Sequence, residues 1–335
     1  MNILVTGGAG YIGSHTCVAL LEAGHMVIVA DNLSNSKVDT LERVKEITGK
    51  EISFHQIDVT EEAAVNSLFA AYSIDGIIHF AGLKAVGESV EEPLKYYFNN
   101  TVSTMVLAGA CRKYGVKRFV FSSSATVYGD NQVPFVEAMP LLPATSPYGE
   151  TKVMSERILI DIAKANPDWS VALLRYFNPI GAHESGLIGD APDGIPNNLM
   201  PYITQVAKGK LDKLRIFGND YPTIDGTGVR DYIHVMDLAE GHVAALHKLS
   251  AGLHIYNLGT GQGTSVMQLV KAFEEANGIE LPYEITARRP GDIAEYYADT
   301  SKAAKELGWT AQRSLVDMCR DAWQFEQRKS HDYTQ

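Results

Sequence analysis

Short runs of apolar and β-branched residues alternate with segments of helical spacing through the first half of the chain. The runs predict strands at residues 2–6, 26–31, 52–58, 76–82, 117–123 and 170–177. Two of the helical segments, 11–23 and 94–114, each end at a glycine, which is typical of a helix stop. Repeated strand-helix-strand units predict a parallel sheet covered by helices on both faces, a doubly wound α/β fold.

This alternation stops after Asn178. Residues 179–198 are rich in Gly, Pro, Asn and Asp and predict a long irregular connection, which in a compact domain is usually functional. Farther on, the pattern predicts helices at 199–208 and from Asp237, and strands at 214–217, 231–234, 254–259 and 283–287. We therefore expect a larger domain at 1–177, to which the chain returns around 231–259, and a smaller C-terminal α/β domain at 178–335.

The composition of the chain limits the classes of partner that it can bind. The chain has 335 residues and a net charge of -11 that is spread along its length, so we expect neither nucleic acid nor a membrane as a partner. Cys17, Cys111 and Cys319 lie far apart and are odd in number, which argues against a disulfide framework and a metal site. The N-terminus leads directly into a strand, and no stretch reaches about 18 apolar residues, so we expect a cytoplasmic protein.

A glycine loop, TGGAGYIG, follows the first strand and opens the first helix. Gly7, Gly10 and Gly13 permit a tight turn, close approach of the backbone to a pyrophosphate and close packing of helix on strand. The N-terminus of the helix adds free N–H groups and a partial positive charge. This context predicts a Rossmann-type dinucleotide site, and a plain strand-to-helix turn is the alternative reading.

Two aspartates follow at strand ends. Asp31 ends the second strand, where a carboxylate accepts hydrogen bonds from an adenosine ribose and repels a 2'-phosphate, so NAD is favoured over NADP. Asp58 ends the third strand, where it suits the adenine edge, although an aspartate before a helix start is equally common. Asp31 has an alternative too, as a residue of the turn that follows it.

In SPYGETK, residues 146–152, Ser146 is a plausible N-cap and Pro147 a good first helical residue, so Tyr148 and Lys152 share one helix face. Two neighbouring cations, the lysine and an oxidised nicotinamide, would favour ionisation of the phenol and make it a base for a sugar hydroxyl. An exposed Tyr and Lys one turn apart is the plain alternative.

The segment FSSSATVYG, residues 121–129, favours the chemical reading. Ligands of open parallel sheets bind beyond the carboxyl ends of the strands, and Ser122, Ser123 and Ser124 lie at such an end. One of these hydroxyl groups is placed to bond the reacting oxygen beside the phenol.

Together these residues resemble the extended short-chain dehydrogenase/reductase family, and within it the UDP-sugar 4-epimerases. The match runs nearly end to end, through TGGAGYIGSHT, HFAGLKAVGES, FSSSATVYG, SPYGETK, LLRYFNPIGAH, GIPNNLMPYI, FGNDYPTIDGTGVRDYIHVMDLA and RRPGD. The resemblance implies reversible C4 epimerisation of UDP-galactose and UDP-glucose through a 4-keto sugar, with tightly bound NAD that is not consumed. It also implies that Tyr148 is the base, that Lys152 tunes it and anchors the nicotinamide ribose, and that Ser124 bonds the sugar 4-oxygen.

The resemblance also assigns binding residues. The cofactor set comprises the glycine loop, the strand ends and the catalytic helix: Gly7, Gly10, Tyr11, Ile12, Gly13, Asp31, Asn32, Leu33, Ser34, Asn35, Ser36, Asp58, Val59, Phe80, Ala81, Gly82, Leu83, Lys84, Asn99, Ser122, Tyr148, Lys152 and Phe177. The UDP-sugar set comprises Ser124, Tyr148, Asn178, Asn198, Leu199, Phe217, Arg230, Arg289, Asp292 and Tyr296.

Part of the second set has support from the residues themselves. Arg230 and Arg289 lie in Gly-rich and Pro-rich loops, where a guanidinium fork suits a diphosphate, although ion pairs with Asp231 or Asp292 are the alternative. The bulk of Tyr296 is expected to disfavour N-acetylated sugars. Arg215 departs from the family pattern, because an apolar residue is expected beside the uridine.

Other readings remain. A sugar-nucleotide 4,6-dehydratase would need an Asp-Glu pair where this chain has Ala125 and Thr126, and a non-catalytic NAD-sensing regulator typically lacks the Tyr/Lys pair. Helices near 94–114 and 148–166 resemble those that pair in the family's homodimer, so we expect a homodimer, with a monomer as the alternative.

Overall fold

The computed structural model describes residues 1–192, 194–289 and 292–329. Its strands in chain order are β1 (Asn2–Thr6), β2 (Met26–Asp31), β3 (Ser53–Gln56), β4 (Gly76–His79), β5 (Arg118–Ser122), β6 (Ser170–Tyr176), β7 (Asn178–Ile180), β8 (Leu214–Phe217), β9 (Val229–Arg230), β10 (Tyr232–His234), β11 (Gly252–Leu258), β12 (Thr264–Ser265), β13 (Tyr283–Thr286) and β14 (Glu295–Tyr296).

The helices are α1 (Tyr11–Glu22), α2 (Asp39–Thr48), α3 (Glu62–Ala71), α4 (Val86–Glu91), α5 (Pro93–Tyr114), α6 (Pro147–Ala165), α7 (Leu199–Ala207), α8 (Val235–Lys248), α9 (Val266–Asn277), α10 (Ser301–Leu307) and α11 (Leu315–Lys329). A 3₁₀ turn spans Ala125–Tyr128. None of these helices is both long and apolar enough to cross a membrane.

The main sheet is parallel and has seven strands in the order β11-β6-β5-β4-β1-β2-β3. The predicted doubly wound α/β fold is confirmed. The direction of strand order reverses between β1 and β4, and such a reversal opens a crevice at the carboxyl ends of the strands. The glycine loop leaves β1 at this crevice.

Alternating residues of the central strands feed two apolar cores, one on each face of the sheet. Ile3 and Val5 of β1 pack with α1 and α8, whereas Leu4 packs with α3, α5 and α6. This alternation is what a parallel sheet buried on both faces requires. The carboxyl edge is left for function because both faces are already covered.

A third apolar core lies in the C-terminal part, among α7, α9, α11, β8 and β10. The chain also returns to the main sheet, since β11 pairs with β6. Helix α8 starts at Val235, two residues before its expected start at Asp237, because the N–H of Met236 donates to His234 Nδ1 at 3.0 Å and His234 thereby caps the helix.

Candidate active site

The glycine loop has the shape of a pyrophosphate cradle. Gly7 has φ +72°, and a Cβ there would lie 2.7 Å from the backbone nitrogen of Ala81. A Cβ at Gly13 would lie 2.2 Å from the carbonyl oxygen of Gly7, so α1 packs on the loop as only glycine allows. Among the described residues, no side chain caps α1 at Gly10, so its first N–H groups are available to an anion.

Asp31 is buried at the end of β2. Its carboxylate accepts hydrogen bonds from the N–H of Ala9 at 3.0 Å, the N–H of Leu33 at 2.9 Å and the hydroxyl of Ser36 at 2.9 Å. These contacts join β2 to the glycine loop and fix the carboxylate at the carboxyl edge. A carboxylate offers about four acceptor positions, so it retains capacity for a ribose hydroxyl.

Asp58 lies beside the loop that follows β2. Asn32 Nδ2 donates to it at 3.0 Å, and Thr60 donates from both its N–H and its hydroxyl. Burial alone would raise the pKa of Asp58, but the hydrogen bonds from Thr60 and Asn32 outweigh burial and lower the pKa. The carboxylate is therefore held ionised at the edge of the crevice.

The loop after β4, which contains residues 80–84, is held by Asn100. The Asn100 amide accepts the N–H of Leu83 at 2.8 Å and donates to the Leu83 carbonyl at 3.0 Å. It also donates to Thr151 Oγ1 at 2.9 Å, and that hydroxyl donates to the Tyr148 carbonyl at 2.7 Å. One buried amide thus joins the predicted cofactor loop to α6.

Helix α6 carries Tyr148 into the crevice. Ser146 caps the helix by accepting the N–H of Gly149 at 3.2 Å, and Pro147 starts it. Tyr148 is only 8% exposed, and Ser124 lies close enough for its side chain to lower the pKa of the phenol. The alternative of a solvent-exposed Tyr/Lys pair is therefore wrong.

Lys152 lies one turn beyond Tyr148 and is 6% exposed. Its Nζ donates to the Ser122 carbonyl at 2.8 Å and lies 6.0 Å from the centroid of the Tyr148 ring. Burial lowers the pKa of Lys152 to about 8, against the attraction of Glu156. Burial raises the pKa of Tyr148 above its ordinary value of 10.0, and the hydrogen bond with Ser124 opposes that rise only in part.

The three serines at the end of β5 have different neighbours. Ser124 caps the 3₁₀ turn and lies at the phenol. The Ser123 hydroxyl is buried and donates to Glu156 at 2.6 Å. Ser122 contributes its carbonyl to Lys152. Of the three candidates, Ser124 is the one whose side chain meets Tyr148.

The predicted UDP-sugar residues come from several separate elements. Asn178 lies on β7, and Asn198 and Leu199 begin α7. Arg230 and Tyr296 are register partners on the paired strands β9 and β14. In RRPGD, residues 290 and 291 lie outside the described residues, as do 193 and 330–335 of the expected C-terminal domain.

Arg230 is held in place by its surroundings. Its guanidinium donates to the carbonyls of Val229 at 2.8 Å and Ile293 at 2.9 Å, and to Asp292 Oδ1 at 3.2 Å. The Asp292 ion pair that was one alternative therefore exists, whereas Asp231 is buried and accepts hydrogen bonds from Thr260. Two carbonyl contacts pre-orient the cation, which suits a diphosphate site as well as an ion pair.

Arg289 covers an aromatic ring instead. Its guanidinium carbon lies 4.0 Å from the centroid of the Phe217 ring. Arg215, the departure from the family pattern, lies on the exposed face of β8 and pairs with Glu284 at 3.3 Å. The positive charge of Arg215 is therefore paired with a carboxylate at the protein surface.

Tyr296 is packed among aromatic rings. Its ring centroid lies 4.9 Å from that of Phe135 and 5.6 Å from that of Phe177. Its hydroxyl is buried and has no hydrogen-bond partner among the described residues. The ring thus occupies volume beside Phe177, which directly follows the carboxyl end of β6.

Sequence reasoning missed several residues that support the site. Asn100, Thr151, Glu156 and Arg175 are buried and hydrogen-bonded to the elements that carry Tyr148 and the cofactor loop. A signal existed for Glu156, since it continues the four-residue spacing of Tyr148 and Lys152.

Comparisons with known proteins agree with this geometry. A sequence profile of the NAD dependent epimerase/dehydratase family matches residues 3–259. The chain is 61% identical to a UDP-glucose 4-epimerase of Bacillus subtilis (strain 168), over 99% of both chains.

Two solved structures are also similar. The UDP-glucose 4-epimerase from Bifidobacterium longum, in complex with NAD+ and UDP, has a TM-score of 0.95 at 52% identity and covers 98% of this chain and 99% of its own. The UDP-Glc/GlcNAc 4-epimerase from Campylobacter jejuni has a TM-score of 0.86 at 38% identity and covers 98% of this chain and 99% of its own.

Proposed function

The chain belongs to the NAD dependent epimerase/dehydratase family, and we propose that it interconverts UDP-galactose and UDP-glucose by inverting C4 of the sugar. It is an NAD-dependent epimerase, and its substrates are UDP-sugars. The observation that carries the proposal is the meeting of Ser124, Tyr148 and Lys152 beside a glycine loop shaped for a pyrophosphate.

The cofactor site fits NAD on the chain's own geometry. Gly7 and Gly13 leave no room for side chains between the loop, α1 and the residue at 81. Asp31 places a carboxylate where a ribose diol is expected and where a 2'-phosphate would be repelled. NAD, when bound, supplies the acceptor for the C4 hydride and later its donor.

Tyr148 is the base in this proposal. Its phenolate takes the proton of the sugar 4-hydroxyl as the C4–H bond breaks, and its phenol returns a proton when the 4-keto sugar is reduced on its opposite face. Ser124 bonds the same oxygen. Lys152 supports the ionised phenol through its charge and anchors the nicotinamide ribose.

Burial makes the cationic charges essential. The pKa of Tyr148 is raised in the chain itself, so the phenolate needs both Lys152 and the positive nicotinamide ring to form near neutral pH. Binding of the oxidised cofactor is then also what activates the base.

The second set of residues holds the UDP moiety. Arg230 is pre-oriented by two carbonyls, and Arg289 lies over Phe217, so both can reach a diphosphate with little ordering cost. We assign cofactor binding to residues 1–177 with the return at 231–259, and UDP-sugar binding to 178–335.

Tyr296 sets the room around the sugar. Its ring fills space beside Phe177, which favours a 2-hydroxyl over the larger N-acetyl group. We therefore propose a preference for UDP-galactose and UDP-glucose over the N-acetylated pair.

A homodimer in the cytoplasm is the proposed working form. Leu94, Phe98 and Met105 are exposed on α5, which packs against α6 with its partly exposed Met154. Burial of these apolar side chains against a second copy would remove them from water.

The test is conversion without added cofactor. Purified protein incubated with UDP-galactose is expected to yield UDP-glucose, followed by NMR, and Tyr148→Phe is expected to lose at least about a hundredfold in turnover while it keeps its NAD. Absence of product from the wild type would refute the function, and unchanged turnover of Tyr148→Phe would refute the base.

A further inference from the structure

Three residues at one-turn intervals on α6 meet three consecutive serines at the end of β5. Tyr148 contacts Ser124, the Lys152 ammonium donates to the Ser122 carbonyl at 2.8 Å, and Glu156 accepts the Ser123 hydroxyl at 2.6 Å. Because one turn of the helix takes about 3.6 residues, the side chains at 148, 152 and 156 lie on one face of it. The first two contacts involve residues of the proposed reaction, whereas the contact between Ser123 and Glu156 has no part in the chemistry described so far.

The third contact is built on a buried ion pair. Glu156 and Arg175 are 0% and 3% exposed, and the guanidinium reaches both carboxylate oxygens, from Nε at 2.9 Å and from its terminal nitrogen at 2.6 Å. Arg175 also stacks on Tyr128 with its guanidinium carbon 4.8 Å from the ring centroid. A bidentate pair with this packing has one geometry, because separating its charges in a dry interior is costly.

We propose that Ser123, Glu156 and Arg175 are positioning residues that fix the register of α6 against β5 and thereby hold the Tyr148 phenol at Ser124. The proposal rests on the proposed function, since it concerns the alignment of that reaction's base. Arg175 lies on β6, and the Ser123 N–H donates to the Leu174 carbonyl of the same strand at 2.9 Å. These contacts fix the position of α6 relative to both β5 and β6.

Glu156 also affects the ionisation of Lys152. Glu156 is the carboxylate whose attraction raises the pKa of Lys152 against burial. The titratable and charged side chains around the Tyr148–Lys152 pair come from β4, α5, α6, β6 and β14. They are His79, Tyr96, Glu156 with its partner Arg175, Tyr176 and Tyr296. Removal of the Glu156 charge takes away this attraction and also leaves the Arg175 charge uncompensated nearby. Both effects lower the pKa of Lys152, so it loses its proton at lower pH.

The first variant is Ser123→Ala, which removes the hydroxyl and leaves the ion pair intact. Ser155→Ala is the matched control, because Ser155 is equally buried on α6. Within the described part of the chain its hydroxyl has only the longer contacts with Thr104 Oγ1 at 3.2 Å and the Asn100 carbonyl at 3.4 Å. We expect Ser123→Ala to lower kcat by about tenfold or more, with KM and bound NAD within about twofold of wild type, and Ser155→Ala to keep kcat within about twofold.

Several results would overturn the proposal. One is a kcat of Ser123→Ala within twofold of that of the control, and another is an equal loss of kcat in both variants. A third is loss of bound NAD from Ser123→Ala, which would place the effect of the hydroxyl on cofactor binding and not on the alignment of the base. If the wild type itself fails to convert UDP-galactose, the proposed function fails. Active wild type with an unaffected Ser123→Ala refutes the positioning role alone.

The second variant is Glu156→Gln, read through its pH profile on samples with wild-type NAD content. We expect the alkaline limb of kcat to move to lower pH by about half a unit or more, a shift that packing loss alone does not produce. An alkaline limb at the wild-type position in folded Glu156→Gln contradicts the proposal. Should this variant not fold, Ser123→Ala decides it.

Discussion

Replacement of Lys152 by Met tests how the buried phenol becomes a base. Methionine keeps the length and apolar stem of the side chain and removes the charge. The Lys152 ammonium lies 6.0 Å from the centroid of the Tyr148 ring. With the delocalised phenolate charge taken at that centroid and an effective dielectric constant of about 20, one cationic charge contributes about 3 kcal/mol to ionisation of the phenol, or about 2 pKa units.

The sign follows from the charge. Without the ammonium, the pKa of Tyr148 rises further, so a smaller fraction of the phenol is ionised at any pH below it. In Lys152→Met we therefore expect kcat to fall about a hundredfold near pH 7 and the acid limb of the pH profile to move up by about two units. Activity should recover in part as the pH rises.

The assay is the pH dependence of UDP-galactose conversion, with bound NAD measured on the same samples, because Lys152 is also the proposed ribose anchor. Rates are compared per bound NAD. A loss of the same factor at every pH would refute the electrostatic reasoning and leave Lys152 as an anchor alone. A wild-type rate would remove Lys152 from the mechanism.

Three further predictions follow from single positions. Gly13→Ala should lower the melting temperature and the NAD content, since its Cβ would lie 2.2 Å from the Gly7 carbonyl and such overpacking costs about 1–3 kcal/mol; wild-type values of both would contradict the packing argument. Tyr296→Ser should raise the efficiency for UDP-N-acetylglucosamine relative to UDP-glucose, and an unchanged ratio would rule out the ring as the selector. Phe98→Glu, at a side chain that is 63% exposed, should convert a dimer to a monomer in sedimentation, and a monomeric wild type would disprove the α5 interface.

Much of the frame was predictable from local pattern. The predicted strands at 2–6 and 26–31 coincide with β1 and β2, because a parallel strand buried on both faces is a continuous apolar run bounded by turn residues. The glycine loop was predictable for a similar reason. Gly10 and Gly13 serve contacts within one strand-loop-helix unit, so their spacing carries the information, whereas Gly7 also makes room for Ala81 of the loop after β4.

The partners of individual side chains were not predictable. From the residues themselves the three serines had equal claims, and the resemblance alone singled out Ser124. The packing of α6 on β5 then places Ser124 beside the phenol and Ser123 at Glu156. The direction of the Tyr148 pKa in the chain itself also needed the structure, because burial is a property of the assembled core and has no trace in the four-residue spacing.

The sequence by itself determined the doubly wound sheet, the dinucleotide loop and the pairing of Tyr148 with Lys152, because each depends on residues close together along the chain. The tertiary structure alone decided that Arg230 pairs with Asp292, that Asn100 joins the loop after β4 to α6, and that Arg175 anchors Glu156. The partners in these contacts lie on different elements. Their meeting depends on strand order and helix register, which close packing and the cost of unpaired buried polar groups select only when the whole core assembles.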